Sequence, residues 1–293
     1  MIIKKLFFLP LFILSLCAQD FKIASYNVEN IFDLKYDGTE YKEYIPNTNT
    51  NWNKKTYKVK LKNISKVINK LDADIIALQE IESREALQDL LYYLLKYKYF
   101  SFVKNDKSAI GIAILSKFEI LETNKIIIKT NKKYARPIQK SKIKIDDKII
   151  TIYNNHWPSK RASESHRIEY ALTLQNHLTK HQKEEDYILL GDFNSNYNEY
   201  QSFKQDKKLN DSYGITGINQ VLNTTLNKNF VIKNSIQSYD KTVHYNLWLE
   251  KEYQNRFSYK YKGVCKYRGC KHIFSDDVPL LFILMLRDYV PVI

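Results

Sequence analysis

The sequence predicts a mixed α/β protein, and three observations predict it. Thr56 to Leu71 carries Tyr57, Leu61, Ile64, Ile68 and Leu71 on one helical stripe and runs straight into a short apolar strand, Asp74 to Leu78. Strand-like alternation runs through Lys142 to Ile152, while Arg84 to Leu95 and Ser163 to His181 read as further helices. Apolar residues make up 44% of the 293, enough for a sizeable core, and no Pro/Gly/Ser-rich linker or internal repeat divides the chain. A single domain, residues 19–293, is expected after a short leader.

The leader is residues 1–18. Met1 to Lys5 is positively charged, Leu6 to Leu16 is apolar but too short for a membrane span, and Cys17-Ala18-Gln19 offers a cleavage site. The mature chain is therefore expected to be exported, to a periplasm or the medium. Leu14 to Cys17 has the outline of a lipoprotein box, but the large Leu16 fits it poorly, so cleavage after Ala18 is preferred to lipid anchoring at Cys17. Cys265 and Cys270 then remain, spaced for a small-loop disulfide in an oxidising compartment; a zinc knuckle would need more partners than His272.

Lys and Arg total 46 against 32 Asp and Glu, a net charge of +14. Such a field draws polyanions, nucleic acid first and anionic membrane surface second. An AT-rich genome favouring Lys codons would give the same excess, so the charge supports a phosphate-rich substrate without selecting one.

Function is concentrated where strands end. Phe21 to Asn30 is an alternating strand closing on Asn27, Glu29 and Asn30; Asp74 to Leu78 delivers Gln79 and Glu80; Ile149 to Tyr153 delivers Asn154, Asn155 and His156 before Trp157, which reads as core. Tyr187 to Leu190 leads into Gly191-Asp192-Phe193-Asn194. An acceptor-only carboxylate two residues from a carboxamide suits a group that holds a hydrated cation or orients an attacking water. Oxygen donors of this kind select Mg²⁺, Mn²⁺ or Ca²⁺ over zinc.

In that order, from about Phe21 to Gly263, these motifs resemble the endonuclease/exonuclease/phosphatase superfamily, whose deoxyribonuclease-I-like members cut phosphodiester bonds. Gly111 to Ser116 sits where the family has a central strand. The resemblance implies a four-layer sandwich of two packed mixed β-sheets flanked by helices, with the active site at one edge of the paired sheets. It implies Asn27, Glu80 and Asp276 as metal ligands, Asp192 orienting the nucleophilic water, and Asn194 on the scissile phosphate. His156 would donate a hydrogen bond or proton toward the phosphate or leaving group. Asn155, Arg161 and Arg167 would contact substrate phosphates, with His166 nearby on the same helix.

The C-terminus departs from the family. Two late motifs are expected, one bearing an Asp that orients a catalytic His and one reading Ser-Asp-His. Here Ser275-Asp276 is followed by Asp277, and His272-Ile273 is preceded by Lys271, so either alignment loses a group. From Val264 the composition shifts to Cys, Arg and an apolar run, Val278 to Leu286, the pattern expected of an internal deletion or frameshifted end. The resulting expectation is an exported divalent-metal-dependent phosphodiesterase, foremost an endonuclease on DNA or RNA, monomeric and without an organic cofactor. Two alternatives stand beside it: a sphingomyelinase-like phospholipid phosphodiesterase, and a catalytically silent relative that binds nucleic acid or membrane.

Overall fold

Period-two alternation decides what each strand residue faces, and in β1 (Asp20–Ile31) it separates two surfaces cleanly. Ala24, Tyr26 and Val28 join one buried cluster with residues of α1 (Lys54–Leu71) and α2 (Arg84–Leu91). Phe21 and Ile23 join another, made with residues of the opposite sheet. The computed structural model describes residues 20–131, 134–159, 161–181, 186–194 and 280–285.

Beside β1, the first sheet holds β2 (Ile75–Ile81), β3 (Tyr99–Val103), β4 (Gly111–Ser116) and β9 (Leu280–Met285), in the order β3-β4-β2-β1-β9. The second holds β5 (Glu119–Ile126), β6 (Ile138–Ile145), β7 (Lys148–His156) and β8 (Asp186–Asp192), in that order. Ile143, Ile145, Ile150, Ile152 and Leu190 of the second sheet meet Phe21, Ile23, Ile75, Ala77 and Ile114 of the first. Tyr153 and Trp157 pack outward against Tyr170, Leu174 and Leu178 of α3 (Glu164–His181). The layers therefore run helices, sheet, sheet, helix, the four-layer sandwich of two packed mixed sheets that the sequence motifs implied.

Among the described residues, each sheet contains one parallel pair, and each pair is joined through a helix. β1 and β2 are parallel with α1 between them in sequence; β7 and β8 are parallel with α3 between them. Parallel pairs need such crossovers, and they bring the C-terminal ends of all four strands to one edge of the sandwich.

Local chemistry explains where elements differ from expectation. α1 starts two residues before Thr56 because Asn53 caps it: its side chain accepts from the Lys55 and Thr56 N–H groups, and Thr56 Oγ1 accepts the Asn53 N–H in return. α2 stops at Leu91, short of Leu95, and the chain tightens into i→i+3 bonds, Tyr93 N–H to Leu90 O and Leu94 N–H to Leu91 O. The alternation from Lys142 to Ile152 belongs to two strands: β6 and β7 form a hairpin turning at Asp146-Asp147, with Asp146 at φ 54°. The C-terminal apolar run forms β9, antiparallel to β1 from Asp20↔Met285 to Ser25↔Leu280. Cys265, Cys270, His272 and Asp276 lie outside the described residues, as do residues 1–19.

Between the sheets, above the aliphatic floor, lies a layer of buried amides. Gln79 Nε2 of β2 donates to Asn154 Oδ1 of β7 at 2.8 Å. Asn154 Nδ2 donates to the Ala113 carbonyl of β4 at 2.9 Å and to Gln139 Oε1 of β6 at 3.3 Å. Gln139 Nε2 in turn donates to Ser101 Oγ of β3 at 2.7 Å. All three amides are at most 1% exposed. Replacing Gln79 with Leu leaves the Asn154 oxygen buried without that donor, so Gln79→Leu is expected to lose about 1–3 kcal/mol of stability. Urea denaturation with an unchanged m-value would show it; a loss below about 0.5 kcal/mol would mean that the amide layer does not hold the sheets together.

Candidate active site at the edge of the paired sheets

One step beyond the amide layer, the strands stop being regular. β1 and β2 pair in register up to Asn27↔Gln79 and resume only at Ile31↔Ile81; β2 and β4 skip Glu80 in the same way. Glu29, Asn30 and Glu80 all carry positive φ, 49°, 70° and 69°. Strict alternation would aim Glu80 at the helices. The bulge reverses it, so its carboxylate faces the opposite sheet. Lys60, fully buried on α1, secures the irregular end of β1 by donating to the Glu29 carbonyl at 2.8 Å.

On the other sheet, β7 and β8 approach unusually closely. Asn155 pairs with Gly191 and His156 with Asp192. Gly191 has φ 126°, and a Cβ there would collide with the Asn155 carbonyl and lie 2.5 Å from the Asn155 nitrogen. Past it, the Trp157 N–H donates to the Asp192 carbonyl at 2.9 Å. Asn194, at φ 49°, then folds back: its N–H donates to Asp192 Oδ1 at 3.0 Å, and its Nδ2 to Asp192 Oδ2 at 3.0 Å and the Trp157 carbonyl at 3.1 Å.

Asn27 closes the two halves into one site. Its Nδ2 donates to Glu80 Oε1 at 2.9 Å and to Asp192 Oδ2 at 3.1 Å, while its Oδ1 accepts the Glu29 N–H at 2.9 Å. His156 Nε2 stands 3.5 Å from Glu80 Oε1 and 3.8 Å from Asp192 Oδ2. Asn27, Glu80, His156, Asp192 and Asn194, far apart in sequence, thus share one constellation.

Burial dominates its electrostatics. Glu80 is pushed above the usual carboxylate range first by burial and further by the Asp192 charge, with the Asn27 hydrogen bond and Arg136 pulling the other way. His156 is held well below its ordinary value by burial and then by the Arg136 guanidinium. That favours the neutral imidazole, which can donate a hydrogen bond. Its Nδ1 is buried and finds no hydrogen-bond partner among the described residues.

The donor set fits a hard divalent cation. Two carboxylates converge from opposite sheets, one nearly enclosed, and their mutual repulsion is what a cation would relieve. Glu80 and Asp192 would hold it. Asn27 presents its Nδ2 to both carboxylates and its Oδ1 to the Glu29 N–H, so in this structure it braces the two carboxylates. Asn194 likewise spends its amide on Asp192 and Trp157, making it the group that orients the Asp192 carboxylate.

Other expected site residues lie elsewhere. Asn155 is fully buried on the outer face of β7, where Nδ2 donates to the Tyr153 and Leu190 carbonyls and Oδ1 accepts the Trp157 indole N–H. The two-residue strand period already separates it from His156. Arg167 is 2% exposed; it pairs with Glu164 at 2.6 Å and donates to the Ser159 and Ala162 carbonyls at 2.8 and 3.0 Å. It organises the loop before α3 and has no face toward a substrate. Arg161 is exposed on that loop, His166 is half-buried, and Asp276 lies outside the described residues.

Arg136 was not evident from sequence. From the segment before β6, its Nε donates to the His156 carbonyl at 3.1 Å and its Nη2 to the Trp157 carbonyl at 2.7 Å. It clamps the end of β7 and supplies positive charge to Glu80 and His156. Only its place before a Pro and a strand distinguishes it in sequence, and that is common. Tyr41, 38% exposed, is a second such residue, near enough to Glu80 and Arg136 to feel both charges.

A protein-family model described as the Endonuclease/Exonuclease/phosphatase family matches residues 22–227. No curated protein matches the chain. Among solved structures, TDP2 from Caenorhabditis elegans is 19% identical, with a TM-score of 0.45 over 60% of this chain and 48% of that one. An endonuclease/exonuclease/phosphatase family protein from Bacteroides thetaiotaomicron is 18% identical, with a TM-score of 0.45 over 67% of this chain and 69% of its own. Beta toxin from Staphylococcus aureus is 21% identical, with a TM-score of 0.47 over 65% and 71%. The chain spans about half the length of the TDP2 structure it matches.

The β7–β8 approach gives a sharp test. Gly191→Ala meets both a forbidden φ and the Asn155 backbone, so the strands must part. A loss of about 3–5 kcal/mol or outright misfolding is expected, read by circular dichroism and thermal melting. A variant that melts within a degree of the parent would show that the site does not depend on this contact.

Proposed function

Because the chain belongs to the endonuclease/exonuclease/phosphatase family, we propose that it is an exported, divalent-metal-dependent phosphodiesterase that cleaves nucleic-acid strands. The observation that carries this reading is the meeting of Glu80 from one sheet with His156, Asp192 and Asn194 from the other, bridged by Asn27. Phosphodiester hydrolysis needs a charge-neutralised phosphate, a water aligned for in-line attack and help for the leaving oxygen. A net charge of +14 favours a polyanionic strand over a small phosphate ester.

A bound divalent cation would supply charge neutralisation at the phosphate. Glu80 and Asp192 would hold it, and Asn27 keeps the two carboxylates at a fixed separation. Asp192, locked by the Asn194 amide, also accepts a hydrogen bond from the attacking water and so orients it. His156, neutral, donates from Nε2 to a phosphate oxygen in place of the carboxylates it now faces. Arg136 holds the His156 and Trp157 carbonyls, fixing where that imidazole sits.

The test is cleavage of supercoiled plasmid and of single-stranded RNA by residues 19–293 with Mg²⁺, with and without EDTA. Cleavage should vanish in EDTA, and Glu80→Gln and Asp192→Asn should each cost at least about 10²-fold while melting as cooperatively as the parent. Folded protein that turns over sphingomyelin but neither nucleic acid would move the substrate to lipid. Folded protein inert on all three would sink the enzymatic reading.

A further inference from the structure

The tightest gathering of metal-type side chains among the described residues is not in that site. One carboxylate oxygen from each of Asp37, Glu40 and Glu82 lies within 4.8 Å of the others. Asp37 and Glu40 belong to the loop between β1 and α1. Glu82 follows β2 and directly precedes Ser83, the N-cap of α2.

Glu82 makes this more than an acidic patch. It is 2% exposed, and its Oε2 accepts the Asp33 N–H at 2.6 Å. Its Oε1 is buried and has no hydrogen-bond partner among the described residues. A carboxylate oxygen taken from water without a donor is costly, and such an atom asks for a cation. Lys104 does not fill that role: its Nζ stands 3.9 Å from Asp37 Oδ2, beyond hydrogen-bond distance, and Glu82 Oε1 stays without a hydrogen-bond partner among the described residues.

The three ligands grade from exposed Asp37 through half-buried Glu40 to buried Glu82, so an ion can enter from solvent and reach the buried carboxyl group that carries the orphan oxygen. The loop is already shaped around its acids: the Gly38 N–H donates to Glu40 Oε2 at 2.8 Å, and the Thr39 N–H to Asp37 Oδ1 at 2.8 Å. All donors are hard oxygens, which excludes a preference for zinc. Irregular carboxylate sites on loops, completed by water, suit Ca²⁺ better than the strict octahedron of Mg²⁺.

We propose that Asp37, Glu40 and Glu82 form a second divalent-cation site, suited to Ca²⁺, that fastens the β1–α1 loop to the β2–α2 junction. An ion there grips the chain two residues beyond Glu80 and braces the bulge that aims it. The site stands on its own residues and does not depend on the phosphodiesterase reading.

The experiment begins with Glu80→Gln/Asp192→Asn, which removes both carboxylates of the first site. Isothermal titration calorimetry of the metal-free variant with CaCl₂ should still find one Ca²⁺ per chain. Its melting midpoint should rise by roughly 5 °C or more at a hundredfold excess over Kd. Adding Asp37→Asn/Glu40→Gln should abolish both responses and leave the far-ultraviolet circular dichroism in EDTA unchanged. Absence of Ca²⁺ heat and of any midpoint shift in the first variant would overturn the proposal. So would Ca²⁺ binding that survives the added pair. Cleavage activity enters neither readout, so failure here and failure of the nuclease reading are separate results.

Discussion

The Gln79–Asn154 hydrogen bond is the constraint on which the rest of the structure depends. Aliphatic side chains hold two sheets together but say little about their relative placement, because Ile packs against Ile over a range of offsets. An amide pair buried between sheets has one geometry, and slipping it exposes both partners to an unmet desolvation cost. Asn154 is further tied to Ala113 and Gln139, so β2, β4, β6 and β7 are fixed at one point. The site lies one or two residues further along these strands. Along the inner face of β7 the order is Ile150, Ile152, Asn154, His156; along β1 it is Phe21, Ile23, Ser25, Asn27. Each strand thus carries an apolar floor, a polar layer that sets position and a terminal group that reaches the candidate site.

Where position must be sharper than a pleated sheet allows, the backbone is bent. Glu80 reaches the site only through a bulge, and Asp192 only because Gly191 lets β8 close on Asn155. Four of the positive-φ residues other than glycine, Glu29, Asn30, Glu80 and Asn194, sit at these strand ends. Each costs about 1–3 kcal/mol. That strain is held by groups whose partners are all internal, Lys60 on the Glu29 carbonyl and Asn194 on Asp192. Rigidity at the mouth of the sandwich is therefore supplied from behind it.

Much of this was legible in sequence, for identifiable reasons. The helical stripe of α1 and the apolar strands survive because burial enforces period on them, and the bulged ends announced themselves as polar clusters after apolar runs. Asn27, Glu80, His156, Asp192 and Asn194 were singled out this way, and the structure brings them together. Asn155 was misplaced because adjacency in sequence was read as adjacency in space, when strand alternation sends it to the opposite face. Arg167 was misplaced because a basic residue near a helix start resembles a phosphate contact until Glu164, three residues before it, is seen to claim it. Arg136 could not be found: its role is set by two carbonyls twenty residues away, which leave no local pattern.

The C-terminal segment shows scaffold and chemistry to be separable. Without β9, β1 would be an edge strand, exposing unpaired N–H and C=O groups beside the strand that delivers Asn27. β9 pairs with β1 across six positions, from Asp20↔Met285 to Ser25↔Leu280, and stops before Asn27. An apolar run needs only strand propensity and length to fill that position; backbone pairing makes no demand for a particular polar residue. β9 can therefore protect the sheet whatever residues precede it. Among the described residues, the groups gathered at the strand ends lie just beyond the inter-sheet amides, and Asn27 meets Glu80 and Asp192 past the last position that β9 pairs.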